Sequence, residues 1–361
     1  MRLSLQPRAK PARAMVWLSP VIAAVLSVIG VTVLFALLGR NPVEALHTLF
    51  VAPLTTLDGL SELGLKATPL LLCAVGIAIG VRGEVWNIGA EGQFTLGAIT
   101  GTWVALNYGG QGHWWIIPVM LLAGVLGGMV WAGIPALLRT RFNAHEILVT
   151  LMLVYVAIQL LGYLVHGPWK DPEGYSFPQT KQFESDATLP VLIPGTRLHI
   201  GALFALLAVP LGSILLGRTL MGFRIRTVGA APAAARYAGF SRDATVWFCL
   251  LLSGGLAGLA GICEIAGGNG QLTPVISPGY GFAAIIVAFL GRLNPAGILF
   301  SSLLMALLYL GGEGLQVSMQ LPIAVTGTIQ GMLLFFLLAA DVLINYRVRL
   351  LPARTKVAHH A

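Results

Sequence analysis

Three polar side chains lie close together in an otherwise apolar stretch of the sequence. Asn87, Glu91 and Gln93 are separated by glycines within the run VWNIGAEGQF at 85–94. Glycine weakens a helix and leaves backbone amide and carbonyl groups open to other partners. A carboxylate inside a bilayer costs about 2.5–3.5 kcal/mol, so it must face a partner or a wet path. The stretch predicts either a broken helix that lines a solute pathway, or a carboxylate that caps or pairs within a bundle, for example with Arg82.

A second stretch, later in the chain, has the same mixture of small and polar residues. GGNGQ at 267–271 contains Asn269, and SPGYGF at 277–282 contains Tyr280. Glycine and proline prevent a continuous helix here, so the backbone polar groups need water or protein partners. The stretch is either an extracellular gate or vestibule, or an ordinary external loop, and the sequence favours neither.

A third, short segment carries the signals for a helix start and a helix end. Pro232 lies just inside the expected start, and Gly239 just beyond the expected end, of the run GAAPAAARYAGF at 229–240. About two turns of alanine-rich helix fit between them, and an isolated helix that short is marginal in water. The segment must therefore rest on a cytosolic partner or on its own bundle.

Catalytic and metal-binding signatures are absent from the sequence. It contains no Gly-x-x-x-x-Gly-Lys-Ser/Thr phosphate loop, no His-Glu-x-x-His, no Gly-x-Ser-x-Gly and no acidic pair suited to acid–base work in the apolar runs. We therefore expect no enzyme activity, no metal and no cofactor in this chain. Cys73, Cys249 and Cys263 lie in apolar runs without paired spacing, as is typical of small buried residues.

The composition of the chain is that of a membrane protein. Of its 361 residues, 57% are hydrophobic and 10% charged, whereas about a quarter are charged in soluble domains. The 44 glycines suit helices that pack closely in lipid. Gly124 with Gly128, and Gly254 with Gly258, are spaced for such contacts, within the chain or at a subunit interface. The net charge of +8 comes from short basic runs between apolar segments, which orient a membrane chain rather than bind nucleic acid.

The apolar pattern predicts an all-α, polytopic membrane fold of about ten transmembrane segments, some of them broken. The regions 68–106 and 281–312 are interrupted near 82–87 and 291–295, and we expect each to form two short segments joined by a tight turn. The two interruptions resemble each other, as the duplicated halves of a transporter would. Each of the uninterrupted runs is long enough to span a bilayer, and they lie at 16–38, 114–138, 147–165, 200–217, 244–263 and 321–340.

The positions of the basic residues predict the orientation. With both termini in the cytoplasm, most of the 22 Lys and Arg lie inside. Residues 1–15 and 345–361 are then cytoplasmic tails around a transmembrane domain at 16–344, and the first run is too long for a signal peptide. The loop 166–198 is expected to be external, solvated and irregular, and 218–243 is the longest cytoplasmic loop. The basic residues left outside are Arg40, Lys66, Lys170, Lys181 and Arg197.

Four separated motifs resemble the ABC permeases of the branched-chain amino acid/ribose type, and among these the nucleoside-uptake permeases most closely. The resemblance covers about 69–340. The motifs are NIGAEGQ at 87–93, HEILVTLML at 145–153, AARYAG at 234–239 and AFLGRLNP at 288–295.

The resemblance implies a permease subunit of an importer in the bacterial inner membrane, with nucleosides as the solute and a sugar or a branched-chain amino acid as the alternative. It also implies three partners: an ATPase subunit that binds ATP-Mg, a second related permease and an extracytoplasmic solute-binding lipoprotein. The broken region then lines the translocation path, and the short internal helix is the coupling helix that seats in the ATPase. The candidate path residues are Asn87, Glu91, Gln93, Asn269 and Tyr280, and the candidate coupling residues are Gly229, Pro232, Ala234, Arg236, Tyr237, Ala238 and Gly239.

Two positions depart from the family pattern. Val154 and Ala231 stand where relatives often have asparagine, and at position 154 an amide lining the path would be lost. The rival hypothesis is a secondary transporter or channel that works alone on an ion gradient. It predicts acidic or histidine relays in the middle of the helices, and these are scarce here.

Overall fold

The computed structural model describes residues 2–7, 13–175, 177–322 and 324–351, which form a helical bundle and one pair of short strands. The long apolar runs form the long helices, as the sequence pattern predicts. The helices are α1 (Arg13–Leu37), α2 (Pro42–Leu46), α3 (Leu57–Arg82), α4 (Ala90–Tyr108), α5 (Ile116–Phe142), α6 (Glu146–His166), α7 (Gly201–Arg218), α8 (Leu220–Ala230), α9 (Pro232–Tyr237), α10 (Arg242–Cys263), α11 (Tyr280–Leu290), α12 (Pro295–Met319) and α13 (Ala324–Asn345), and the strands are β1 (Arg2–Pro7) and β2 (Tyr346–Leu351).

Six helices in the described part of the chain are long and apolar enough to cross a membrane. The chain is therefore a multi-pass helical membrane protein. The larger number of ten spans stays a prediction, as does the cytoplasmic placement of the termini. The six are Leu57–Arg82, Ile116–Phe142, Glu146–His166, Gly201–Arg218, Arg242–Asn269 and Pro295–Met319, the fifth continuing α10 through a π-helical turn, Glu264–Asn269.

The described residues of 1–51 and 311–361 form one compact unit. In it α1 packs against α13, and a Cβ on Gly311 would lie 2.7 Å from the Leu49 carbonyl carbon. The strands β1 and β2 pair antiparallel from Arg2↔Leu351 to Pro7↔Tyr346. The fold is otherwise all-helical, as the sequence predicts, and both tail sequences alternate apolar with polar residues, which is typical of strands.

Residues 52–310 form the second unit, whose centre is built on glycine contacts. A Cβ on Gly128 would lie 2.8 Å from the Gly258 Cα, so α5 and α10 touch backbone to backbone. The two glycine pairs predicted to make close contacts therefore do so within the chain. Cys73, Cys249 and Cys263 are buried free thiols, as expected.

Both predicted tight turns are present in this unit. The α3–α4 turn contains Glu84 with φ 53°, and the α11–α12 turn contains Arg292 and Leu293 with φ 53° and 54°. The two turns also meet: the Arg82 guanidinium donates two hydrogen bonds to the Leu293 carbonyl oxygen, at 3.2 and 3.1 Å. These hydrogen bonds between the two similar motifs thus fix the end of α3 against the α11–α12 turn.

The segment between α6 and α7 is irregular but packed. Its backbone pairs with the segment after α10: Thr180 N–H donates to Leu272 O at 3.0 Å, and Phe183 N–H donates to Gly270 O at 2.7 Å. Thr180 is fully buried. The loop is irregular, as predicted, and it also makes main-chain hydrogen bonds to a distant segment, which cannot be read from local composition.

Two ionisable side chains hold this irregular segment in place. The Asp186 carboxylate accepts the N–H groups of Gly110 and Gly112 at 2.9 and 2.7 Å, and these bonds lower its pKa. His199, next to α7, is 1% exposed, and its Nδ1 accepts the Gly201 N–H at 3.1 Å. Burial, with a smaller effect from Arg197, lowers the pKa of His199 to about 4.

Candidate functional site

Asn87 and Gln93 form a reciprocal pair of amide hydrogen bonds in the protein interior. Asn87 Nδ2 donates to Gln93 Oε1 at 2.7 Å, and Gln93 Nε2 donates to Asn87 Oδ1 at 3.0 Å. Asn87 Nδ2 also donates to Ser253 Oγ of α10 at 2.9 Å. The two side chains are 3% and 1% exposed. Because buried polar groups need partners, this network fixes the segment between α3 and α4 against α10.

Glu91 caps a helix that begins far along the chain. Its Oε2 accepts the Gly281 N–H at 2.6 Å, in the first turn of α11, and Ser277 adds a side-chain hydrogen bond. The first N–H groups of a helix have no partner inside the helix and lie at the positive end of its dipole. Of the two sequence interpretations, capping within the bundle is therefore observed, although the partner is not Arg82. A direct contact of Glu91 with solute stays a prediction.

The backbones of α4 and α11 touch at this cap. A Cβ on Gly281 would lie 2.6 Å from the Glu91 Cα and 2.8 Å from the Ala90 carbonyl carbon, so only glycine fits. On the other side, a Cβ on Gly92 would lie 3.0 Å from the Val154 Cα of α6. Position 154, where relatives often carry asparagine, thus packs against the first turn of α4.

The other two candidate path residues are placed differently from each other. Tyr280 is 2% exposed, and its ring packs edge-on against Phe94 and Tyr309, with centroids 6.4 and 5.5 Å away. Asn269 ends the π-helical turn after α10 and is exposed. The structure thus brings Asn87, Glu91 and Gln93 together with Tyr280 around the first turns of α4, and leaves Asn269 at the surface.

The short alanine-rich helix forms as the sequence predicts. Pro232 occupies its first turn, and Gly239 follows it with φ 78°. Ala235 is 2% exposed whereas Tyr237 is 97% exposed, so one face rests on the chain and the other is open. Ala234, Arg236 and Ala238 are exposed as well.

The segments on either side of α9 contact two long helices, α3 and α10. A Cβ on Gly229 would lie 3.1 Å from the Arg82 carbonyl carbon, which holds the end of α8 on the end of α3. Beyond α9, the Phe240 ring packs against Phe223 at 5.9 Å, and the Ser241 Oγ caps α10 at Ala244 N. A displacement of α9 would therefore act on α3 and α10 together.

Comparison with known proteins decides the family. Residues 59–338 match the family described as the branched-chain amino acid transport system permease component. The chain belongs to this permease family. ABC permeases are transport subunits rather than enzymes, and in general they work with ATP-binding and substrate-binding partners.

Several known permeases are similar over nearly their whole length. A glucose ABC transporter permease protein of Haloferax volcanii is 37% identical, over 96% of this chain and 94% of its own. A nucleoside ABC transporter permease protein of Lactococcus lactis subsp. cremoris is 28% identical, over 89% and 90%. A guanosine ABC transporter permease protein of Bacillus subtilis is 27% identical, over 94% and 96%. One solved structure, an inward-facing conformation of a putative metal-chelate type ABC transporter, aligns at 16% identity with a TM-score of 0.47, over 91% of this chain and 99% of its own.

Two further contacts complete the polar centre of the permease, which we define as Asn87, Glu91, Gln93 and Tyr280. Neither was predicted from the sequence. Ser253 lies in the middle of an apolar helix, and Ser277 precedes α11. A lone serine within an apolar run was the available signal for Ser253. Sequence reasoning also missed the ion pair between Arg139 and Glu146, whose Nη1 and Oε1 atoms are 2.6 Å apart.

Proposed function

We propose that this permease imports a neutral, hydroxyl-rich solute, in the first place a nucleoside, across the bacterial inner membrane. It would span the membrane ten times with both termini in the cytoplasm, beside a second related permease. A separate ATPase would bind ATP-Mg, and an extracytoplasmic lipoprotein would deliver the solute. The path would run past the polar centre formed by Asn87, Glu91, Gln93 and Tyr280, with Asn269 at its outer end.

The proposal of a neutral solute rests on the charges around the polar centre. Transporters often aim the positive end of a broken helix at an anionic group of the substrate. Here that end of α11 already holds the Glu91 carboxylate. No Lys or Arg side chain takes part in the described hydrogen bonds of Asn87, Glu91 and Gln93. A nucleotide would therefore bring a net negative charge, and an amino acid a carboxylate, to a place where the described hydrogen bonds supply no cation as a partner.

Two observations bear on the choice between nucleoside and sugar. Trp86 adjoins the polar centre, is 37% exposed and stacks on Phe289 with centroids 5.8 Å apart, so it offers an aromatic face to a base. The named nucleoside and guanosine permeases support the same choice. The second candidate is a sugar, which the 37% identical glucose permease favours.

The conformational change of the ATPase that powers transport would reach the permease through α9. The proposed step is that ATP binding closes the ATPase dimer and moves the exposed face of α9. Because α9 is tied to α3 and α10, the bundle rocks and access to the polar centre alternates. A cycle of this kind needs the two transporter states to differ in their affinity for ATP and for loaded binding protein.

The cargo is tested by uptake in the assembled transporter. Labelled guanosine, glucose and leucine are each offered, with the other two in excess as unlabelled competitors. We expect guanosine uptake that neither leucine nor glucose suppresses. Glucose uptake alone would move the assignment to the sugar, and leucine uptake would refute the argument from charge balance.

The role of α9 is tested by charge reversal on its open face. We expect Arg236→Glu and Tyr237→Ala to abolish most solute-stimulated ATPase activity while the permease still folds and inserts. Arg141→Glu is the matched control, since Arg141 is an exposed arginine at the end of α5. Undiminished stimulation in both α9 variants would remove α9 from the coupling pathway.

A further inference from the structure

A second concave surface lies outside the polar centre, between α3, α7 and α10. It encloses about 470 Å³, and each residue that lines it is apolar or glycine. From Phe204 to Leu215 the α7 wall rises about 16 Å, since a helix rises 1.5 Å per residue. The groove stops three residues short of each end of α7, so its half next to Arg218 lies at the depth of the acyl chains of one leaflet. We call this surface the acyl groove.

The acyl groove has a basic end. Leu215 lines it one turn before Arg218, the last residue of α7, and Arg218 is exposed. Gly222 of α8 packs on the Leu215 carbonyl oxygen, and the Arg226 Nε donates to the Gly222 carbonyl oxygen at 3.3 Å. Two guanidinium groups therefore lie beside one end of an apolar slot.

Neither guanidinium has an acidic partner among the residues that the structure describes. At the opposite end of α7 the situation differs, because Arg197 donates to the Gly268 carbonyl oxygen at 3.0 Å and lies 3.5 Å from Glu62. The free positive charge is thus confined to the Arg218 end.

On α3 the groove also lies nearer that end, and on α10 it lies near the middle of the helix. On α3 it is lined by Leu72, Val75 and Ile79, and Ile79 is three residues before Arg82 at the helix end. On α10 the lining begins at Phe248, six residues after the helix start. An occupant with an apolar tail and an anionic head would therefore match the surface in depth and in charge.

We propose that the acyl groove binds an anionic phospholipid, with one acyl chain between α7 and α10 and the phosphate against Arg218 and Arg226. The lipid would sit at the start of α8, the helix that leads to α9. Each basic side chain at an anionic headgroup contributes about fivefold in binding. Removing both should therefore weaken the site at least about tenfold for an anionic lipid, and little for a zwitterionic one.

The test uses the full chain in nanodiscs of phosphatidylcholine. A trace of phosphatidylglycerol with a photoactivatable group in its acyl chain is added, and the labelled peptides are mapped by mass spectrometry. We expect labelling on α7 and α10, reduced about tenfold or more by Arg218→Gln with Arg226→Gln. Arg141→Gln, an exposed arginine at the end of another helix, should leave the labelling unchanged.

A second pair of variants tests the groove itself. Ala208→Trp fills it from α7, whereas Leu206→Trp places the same side chain at an exposed α7 position that does not line it. Only the first should suppress labelling. Equal labelling by a phosphatidylcholine probe would overturn the proposal, since the headgroup would then not be recognised. Efficient disulfide crosslinking between two copies through Leu211→Cys would also overturn it, because a second copy would fill the groove.

Discussion

The contact between Gly281 and Glu91 allows a sharp test of how the polar centre is built. In Gly281→Ala the new Cβ would lie 2.6 Å from the Glu91 Cα and 2.8 Å from the Ala90 carbonyl carbon. These are backbone atoms of a buried helix, so no side chain can swing aside. The first turn of α11 must move away from α4 by several tenths of an ångström or more.

Two free-energy costs follow from that movement. Overpacking of a close contact destabilises by about 1–3 kcal/mol. The displaced Gly281 N–H also loses its 2.6 Å bond to Glu91, and a buried donor left unsatisfied costs about 1–3 kcal/mol more. We therefore expect Gly281→Ala to lower the free energy of unfolding by about 2–6 kcal/mol, measured by denaturant titration of the detergent-solubilised chain, and to reduce uptake.

The matched control is Gly162→Ala on α6. A Cβ there meets nothing within 4 Å, so the change should be neutral or stabilise the helix by up to about 1 kcal/mol. If Gly281→Ala unfolds at the same denaturant concentration as Gly162→Ala, then α4 and α11 do not touch as described. The assignment of Glu91 as the cap of α11 would fall with that result.

Two further predictions concern groups inside the same unit. Asn87→Ala and Gln93→Ala should show a coupling energy of about 0.5–3 kcal/mol in a double-mutant cycle of unfolding, because each amide satisfies the other; strictly additive effects would contradict the pairing. The pKa of His199 is about 4 in the folded chain against an ordinary 6.5. As the pH falls, the unfolded chain therefore takes up a proton at this imidazole before the folded chain does. The contribution of His199 to stability should be complete above pH 6.5 and be lost as the pH falls towards 4, by on the order of 3 kcal/mol. His199→Gln should flatten that part of the stability profile, and an unchanged profile would show that His199 does not titrate as described.

The polar centre shows how far local reasoning reaches. The residue types and glycines at 85–94 marked Asn87, Glu91 and Gln93 as the unusual polar groups of an apolar chain. The sequence left two roles open for Glu91, lining a solute pathway or capping or pairing within the bundle, and Arg82 was the example of a pairing partner. In the fold Arg82 braces the other turn through Leu293, and Glu91 meets a helix 190 residues further on. Distance along the chain was the wrong guide because helix packing sets these contacts.

The irregular segment between α6 and α7 also shows the limit of local sequence patterns. Its prolines and mixed charges predict irregular backbone, and the backbone is irregular. Its burial depends on main-chain bonds from Thr180 and Phe183 to the segment after α10, and any residue except proline can donate such bonds. No side-chain pattern therefore marks them in the sequence.

The sequence by itself determined what depends on local and summed properties of the chain. The apolar runs predict the long helices, the interruptions predict the two turns, Pro232 and Gly239 bound α9, and four ordered motifs indicate the permease family. Only the tertiary structure decided which distant groups meet: Asn87 with Ser253, Glu91 with Gly281, and Leu215 with the basic start of α8. The physical reason is that local backbone preference acts over a few residues. A contact between distant helices depends instead on how closely all the helices between them can pack.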